Sequence, residues 1–302
     1  MLPDRLRHNV PLKNYTTMGV GGPAMALAQP ETAEELGAVM KVCRDNGLSY
    51  YIMGAGSNLL FLDEGFDGVV IKLGQAFKKV ELFQGKLLRA GAAAPLFQVL
   101  EAASEHELTG LECLAGIPGT VGGAVWMNAG SFGRSVGQVI AGLRLVTAEG
   151  SIVNIAAQDL IFSYRRLAGL PEGGVIVEAD FRLESGQVDV IRAAVQRNLD
   201  ARAERHPKGV RSAGSVFKNP PDESAGRIIE ECGLKGFKLG GAQVSEKHAN
   251  FIINPSGEAS ASDVLNLVKK VISEVKKQRG LILEPEIKII GARGEVGGYE
   301  DV

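Results

Sequence analysis

Four short blocks carry the residue types that chemistry needs, and they follow one another along the chain. The first is Gly54-Ala55-Gly56-Ser57-Asn58-Leu59-Leu60, and the second is Gly116-Ile117-Pro118-Gly119-Thr120-Val121-Gly122-Gly123. Glycines let a backbone turn sharply and approach a ligand closely, and successive backbone N–H groups in such turns cradle a diphosphate. Ser57 and Asn58 add side-chain donors. The third block is Ser163-Tyr164-Arg165-Arg166, and the fourth is Gly214-Ser215-Val216-Phe217-Lys218-Asn219-Pro220. An arginine grips carboxylate or phosphate with a bidentate fork. A cradle for a dinucleotide followed by a separate set of polar groups suited to a small carboxylated substrate implies a cofactor-dependent enzyme.

Each block also has a plainer reading. Gly-Ala-Gly strings often close tight turns, and this one is not the G-x-G-x-x-G that opens a Rossmann helix. The second loop is costlier to explain away, because glycine loses more freedom on ordering than any other residue. Asn128 and Gly130 continue its character. Arg165-Arg166 by themselves more commonly form a solvated surface pair. Ser215 has no G-x-S-x-G elbow around it and no histidine beside it, so it does not read as a hydrolase nucleophile. Glu286 and Lys288, in Glu284-Pro285-Glu286-Ile287-Lys288, fall on one face at the start of a strand. They form either a solvent-facing edge or a site. Lys247 and His248 could touch a diphosphate or lie on the surface. The methionines and aromatic residues are scattered and read as core.

The elements that must position these groups come from periodicity. Ala24–Ala28 reads as a short buried strand. Thr32 and Glu35 form a capping box for a helix bearing Leu36, Val39, Met40 and Cys43, which stops at Gly47. Residues 50–53 and 68–73 are strands, giving an α/β beginning. After residue 75 the pattern changes. Pro95 opens a helix with Leu96, Val99, Leu100 and Ala103. Residues 143–147 and 152–155 make an antiparallel hairpin, and 174–183 is another strand. A helix marked by Val188, Ile191, Val195 and Leu199 leads onward. Ser224 caps a short helix ending at Gly233, residues 249–254 form a strand, and a long helix runs from Val264 to Gly280. Glu286–Ile290 closes the fold as a strand, and the tail beyond Gly291 frays.

Composition bounds the rest. A chain of 302 residues exceeds one simple core and predicts two or three domains. The formal net charge of −2 gives no electrostatic reason for nucleic acid or an anionic membrane as partner, so an anionic ligand must be held by local groups. Cys43, Cys113 and Cys232 are sparse and unpaired in spacing, and the four histidines form no metal-binding pattern. Met1-Leu2-Pro3-Asp4-Arg5 lacks the apolar stretch of a signal peptide, and no apolar run suffices to span a bilayer. The expected compartment is the cytoplasm, with no metal, and a monomer or weak oligomer.

The four blocks in this order resemble the UDP-N-acetylenolpyruvoylglucosamine reductase family of peptidoglycan precursor synthesis. The resemblance runs from Asn14-Tyr15-Thr16-Thr17-Met18-Gly19-Val20-Gly21-Gly22 to Pro285-Glu286-Ile287-Lys288-Ile289-Ile290-Gly291, nearly the whole chain. It implies an α+β fold, with an FAD-binding two-domain cradle of the vanillyl-alcohol-oxidase (PCMH) type and a C-terminal α+β substrate domain. Residues 1–75, joined by a C-terminal strand within 283–302, would form the first flavin subdomain. Residues 76–204 would form the second, and 205–282 the UDP-sugar domain. FAD would be held without a covalent bond by Gly54, Ala55, Gly56, Ser57, Asn58 and Leu59, by Gly116, Ile117, Pro118, Gly119, Thr120, Gly122 and Gly123, and by Asn128 and Gly130. NADPH would reduce the flavin, and the enolpyruvyl group of UDP-N-acetylglucosamine enolpyruvate would then take hydride at its β-carbon. The resemblance assigns Arg165 and Glu286 to the substrate's carboxylated end and Ser215 to protonation of its α-carbon. Lys218, Asn219, Lys247, His248 and Lys288 would contact substrate. Longer members of the family carry a tyrosine insertion, whereas no tyrosine stands here between Tyr164 and Tyr299, so this chain resembles the shorter class. Two other readings remain: an alcohol or sugar oxidase on the same flavin scaffold, and a nucleotide-sugar binder without chemistry.

Overall fold

A computed structural model describes residues 5–296. The leading strands are β1 (Leu6–Pro11) and β2 (Pro23–Ala28), followed by α1 (Ala33–Asp45), β3 (Ser49–Ile52), β4 (Leu59–Phe61) and β5 (Phe66–Ile71). Next come β6 (Val80–Phe83), β7 (Leu87–Gly91), α2 (Leu96–Glu105), β8 (Leu108–Thr109), α3 (Val121–Trp126), β9 (Gly130–Ser131) and β10 (Arg134–Ser135). A further run holds β11 (Ile140–Val146), β12 (Ile152–Ala156), β13 (Ile161–Ser163), β14 (Arg166–Ala168), β15 (Val175–Arg182), β16 (Glu184–Ser185) and α4 (Val188–Arg205). The last part contains β17 (Arg211–Ser215), α5 (Ala225–Glu231), β18 (Lys238–Leu239), β19 (Ala242–Val244), β20 (Phe251–Asn254), α6 (Ala261–Arg279), β21 (Lys288–Gly291) and β22 (Gly294–Glu295). The fold is α+β.

Two compact units divide these elements. The first holds Leu27–Ala55 and Val70–Arg202, with the described residues through Arg7. The second holds His8–Ala26, Gly56–Val69 and the residues from Ala203 onward.

The first unit is built on a five-stranded antiparallel sheet, order β12-β11-β15-β7-β6. Alternation decides its faces. Leu88, Ala90, Leu143, Leu145, Ala179 and Phe181 are buried, and they pack with Val99 and Leu100 of α2 and Val121 and Val125 of α3. The opposite face carries charge in register: Arg89 grips Asp180 at 2.7 and 2.9 Å, and Arg144 reaches Glu178 at 2.8 Å. Thr32 caps α1 by accepting from Glu35 N–H at 3.1 Å. The other half of the expected box is absent, because the Glu35 carboxylate bonds Glu31 N–H and Arg5 instead.

The second unit has a four-stranded antiparallel sheet, order β17-β20-β19-β18, and a three-stranded sheet, order β22-β21-β4. Helix α6 lays Val264, Leu267, Val268, Val271, Ile272 and Val275 into that unit's core with Ile228 and Ile229 of α5. Ser260 and Asp263 form a full capping box at its start, and Gly280 ends it at φ +67°. Asp63 adds a second cap, accepting from Ala261 N–H at 2.9 Å and Ser262 N–H at 2.8 Å.

Five further expectations are corrected. Strand β21 begins at Lys288, not Glu286, so Glu286 and Lys288 do not share a strand face. Ser224 makes no side-chain cap on α5; Asn219 Oδ1 accepts from Ala225 N–H at 3.0 Å in its place. The stripe on α4 buries only Ile191. Trp126, Phe132, Phe97 and Tyr164 are exposed, not core. Residues after Gly291 do not fray at once but turn back into β22, while the tail beyond Val296 lies outside the described residues. Among the described residues no helix is long and apolar enough to cross a membrane.

Candidate active site

The first unit holds one half of the predicted groups. Strand β3 delivers the chain to Gly54, where Met53 N–H has just bonded Ile71 C=O at 2.9 Å. Lys72 Nζ fixes the Gly54 carbonyl at 2.6 Å, and burial pushes the Lys72 ammonium below its ordinary pKa. A Cβ at Gly54 would stand 2.5 Å from Thr120 Oγ1, so only glycine allows the two glycine-rich segments to meet there. Thr120 opens α3 with extended backbone but makes no side-chain cap.

The second loop is pinned on both sides. Leu96 N–H donates to Gly119 C=O at 3.2 Å, Val121 N–H to Ala94 C=O at 2.9 Å, and Ile117 N–H to Leu114 C=O at 3.0 Å. Gly122 and Gly123 belong to the first turn of α3, and a Cβ on Gly122 would press Ala92 Cβ at 3.0 Å. Gly116 takes φ +71°, and a Cβ there would meet Arg202 Cδ at 2.9 Å. Arg202 went unnoticed in the sequence. Among the described residues its Nε is buried without a partner. Burial, and then the positive charge of Arg165, both act against its charged form. A buried unpaired donor on a cation is costly unless an anion completes it. Nothing in the spacing of α4 signals this, since the role arises from what Gly116 leaves room for.

Asn128 is buried and turns inward on its own unit. Its Oδ1 accepts from Gly137 N–H at 3.0 Å, and its Nδ2 donates to Ser163 C=O at 2.8 Å. These bonds set the hairpin of β13 and β14, where Ser163 pairs with Arg166 and Tyr164-Arg165 form the turn. Arg165 takes φ +55°, a conformation that a turn's second central position gives to glycine. Its guanidinium lies 4.9 Å over the Tyr164 ring and donates to Gly130 C=O at 3.4 Å.

The second unit holds the other half. Thr17 N–H donates to Gly56 C=O at 3.1 Å, and Gly56 sits at φ +67° with the Tyr15 carbonyl where a Cβ would be. Ser57 follows, then Asn58, whose Nδ2 donates to Glu286 C=O at 3.2 Å while its own carbonyl accepts from Lys288 N–H at 2.9 Å. Leu59 then pairs in parallel with Lys288. The end of the first glycine turn is therefore strapped to Glu286 from the far end of the chain.

Ser215 ends β17 beside a register shift, opposite Phe251. Val216 N–H donates to Asn250 C=O at 2.8 Å, and Glu286 N–H donates to Val216 C=O at 2.7 Å. Buried Asn250 completes the clamp: its Oδ1 accepts from Phe217 N–H at 2.9 Å and its Nδ2 donates to Phe217 C=O at 2.8 Å. One backbone bond thus links Glu286 to the residue after Ser215. Asn250 is a second group that sequence reasoning missed; an asparagine beside a run of apolar strand residues is its faint signal.

The remaining predicted groups already have partners. Lys218 pairs with Glu284, Lys288 Nζ lies 2.6 Å from Glu295, and Lys247 Nζ donates to Ala203 C=O at 2.9 Å. His248 packs on His206 and Phe251, with ring centroids 5.6 and 5.0 Å away. Its Nδ1 accepts from Asn250 N–H at 3.2 Å, and burial holds its pKa below the ordinary histidine value.

Comparison with known proteins adds identity to this geometry. Residues 24–156 match the FAD binding domain family, and residues 206–290 match the family of UDP-N-acetylenolpyruvoylglucosamine reductase C-terminal domains. The UDP-N-acetylenolpyruvoylglucosamine reductase of Bacillus licheniformis is 40% identical over 290 residues, covering 96% of this chain and 95% of that protein. That of Moorella thermoacetica is 42% identical over 283 residues, covering 94% and 92%. The crystal structure of UDP-N-acetylenolpyruvylglucosamine reductase from Thermus caldophilus matches with a TM-score of 0.82 at 38% identity, covering 94% of this chain and 98% of that one. With such relatives along nearly its whole length, this chain belongs to the UDP-N-acetylenolpyruvoylglucosamine reductase family.

Proposed function

We propose that this protein is an NADPH-dependent flavoenzyme that reduces UDP-N-acetylglucosamine enolpyruvate to UDP-N-acetylmuramate, supplying a peptidoglycan precursor. The observation that carries this reading is that a flavin-binding segment and a reductase-specific segment match on one chain, with named relatives aligned end to end. The residues present suit FAD. Glycine stands where a Cβ would crowd Thr120, Gly116 adopts a left-handed turn, and Arg202 offers a buried Nε without a partner. When bound, FAD supplies hydride exchange between the pyridine nucleotide and the substrate.

The chain's own residues do the rest. Gly54, Ala55, Gly56, Ser57, Asn58 and Leu59, with Gly116 to Gly123, hold the cofactor without a covalent bond, and Asn128 and Gly130 brace the hairpin that carries Arg165. Reduction of the enolpyruvyl double bond builds negative charge at the α-carbon and its carboxylate. Arg165 offsets that charge where it forms, which is the strongest kind of catalytic contribution. Ser215 gives its hydroxyl proton to the α-carbon; a neutral hydroxyl is a weak acid, but the carbanion-like centre is a strong base. Glu286, tied through Val216 to the backbone beside Ser215, orients that hydroxyl or a water. Lys218, Lys247, Lys288, Asn219 and His248 contact the substrate's phosphates and sugar. The exposed pairs Lys218–Glu284 and Lys288–Glu295 are weak enough to exchange for phosphate. We assign residues 1–75 and 283–302 to the first flavin subdomain, 76–204 to the second and 205–282 to the substrate. The protein is a cytoplasmic monomer or weak oligomer in this reading.

Ser215→Ala tests the proton assignment. Flavin reduction by NADPH stays intact, while reoxidation by the enolpyruvyl substrate slows about 100-fold or more. Equal slowing of both half-reactions removes Ser215 from the proton-donor role.

A further inference from the structure

We propose that the second unit carries a binding site for a phosphate-bearing small molecule, gripped by Lys13 and Arg211. A cavity of about 510 Å³ opens there, lined by residues between Lys13 and Gly19 together with Arg211 and Gly257. Among the described residues no aspartate or glutamate lines it. Among the described residues Lys13 and Arg211 have no ion-pair partner, although lysines and arginines elsewhere in this unit, such as Lys218, Lys288 and Arg279, are paired. The formal net charge of the whole chain is −2, so this positive concavity is a local feature and not part of a general basic surface.

Arg211 is lodged, not free-floating. A Cβ on Gly19 would stand 2.7 Å from Arg211 Cδ and 2.8 Å from its Nη1, and one on Gly257 would stand 3.1 Å from Nη1. The two glycines therefore leave a slot for the guanidinium between backbones. The walls are fixed by other bonds. Thr17 Oγ1 donates to Ser212 C=O at 2.6 Å, and Thr16 Oγ1 donates to Val20 C=O at 2.9 Å. Asn254, the register partner of Arg211, is buried and donates to Met18 C=O at 3.2 Å. Arg211 is thus held on a preformed frame, which lowers the ordering cost of binding.

The chemistry of the lining selects the ligand class. Arginine offers a planar fork to phosphate oxygens and lysine a point charge, and Asn14 adds a side-chain amide. The cavity is much larger than one phosphate, so the ligand is a phosphate or diphosphate on a polar body such as a sugar or nucleoside. That group belongs either to a ligand of the reaction or to a separate effector. In both cases it would lie next to the segment whose Thr17 N–H holds Gly56.

Calorimetric titration of the flavin-loaded protein with inorganic pyrophosphate tests the site without any turnover, so its outcome is independent of the reductase reading. The expected result is saturable binding at one site that weakens at about 0.5 M salt, as exposed charges are screened. Arg211→Ala and Lys13→Ala should each weaken it about tenfold or more, and Arg211→Lys should lose less than Arg211→Ala. Unchanged flavin content and melting temperature show that the variants are folded. No saturable binding, or equal affinity in the wild type and both alanine variants, overturns the proposal. Displacement by NADP⁺ or by UDP-N-acetylglucosamine assigns the site to that ligand's phosphates; binding unaffected by either assigns it to a separate effector.

Discussion

Arg165 is the residue whose backbone and side chain make opposing demands. At φ +55° it occupies a turn position that costs an L-residue about 1 kcal/mol or more, and glycine would take it without strain. Arg165→Gly is therefore expected to leave the fold as stable or to stabilise it by about 1 kcal/mol, while kcat falls about 100-fold or more. Chemical denaturation and steady-state kinetics on one preparation check both halves, and retained activity would deny Arg165 its role. His248 makes a pH prediction. Burial lowers its pKa in the folded protein, so the unfolded chain binds the proton more readily. Stability is fully present above the ordinary histidine value of about 6.5 and declines as pH falls from there toward the lowered folded value. His248→Gln should flatten that slope in denaturant titrations across the range. At this scale the sequence shows residue types but not company. Ser215, Arg165 and Glu286 stand out by type and family pattern, whereas Arg202 gains meaning only from Gly116 and Arg165, contributed by other segments.

Secondary structure was most legible where one face is buried. The stripes of α2 and α6, the β11–β12 hairpin and the glycine stop at Gly280 follow from periodicity and capping chemistry. Local rules failed where a partner distant in sequence competes. Ser224 stands at the N-cap of α5, yet Asn219 supplies the bond. Glu286 lies in an alternating run, but its N–H is drawn to Val216 and the strand starts two residues later. Helix α4 shows an apolar stripe that its unit only partly covers. Asn250 belongs to this scale because it joins elements, bonding both backbone groups of Phe217 from the segment leading into β20. Asn250→Ala leaves a buried N–H and C=O without partners and should cost about 2 kcal/mol or more. It should also slow substrate reduction more than flavin reduction by NADPH, because the clamp holds the backbone beside Ser215. A variant with wild-type stability would show that the clamp is dispensable.

At the scale of the whole chain, composition set the class but not the activity. Ordinary hydrophobic and charged fractions and a near-neutral charge leave most soluble enzymes open. The order of the four blocks narrowed the choice, and relatives near 40% identity along the chain made the family plain. The structure adds what fixes the predicted residues locally: Gly54 stands close to Thr120 in the first unit, and Asn58 bonds Glu286 C=O in the second. The most direct test of the account is an anaerobic two-step experiment on the purified protein. NADPH first reduces the bound flavin, and UDP-N-acetylglucosamine enolpyruvate is then added while the oxidised flavin spectrum is followed. The account predicts rapid reoxidation by that substrate with formation of UDP-N-acetylmuramate. A flavin that reduces but is reoxidised only by oxygen would contradict it.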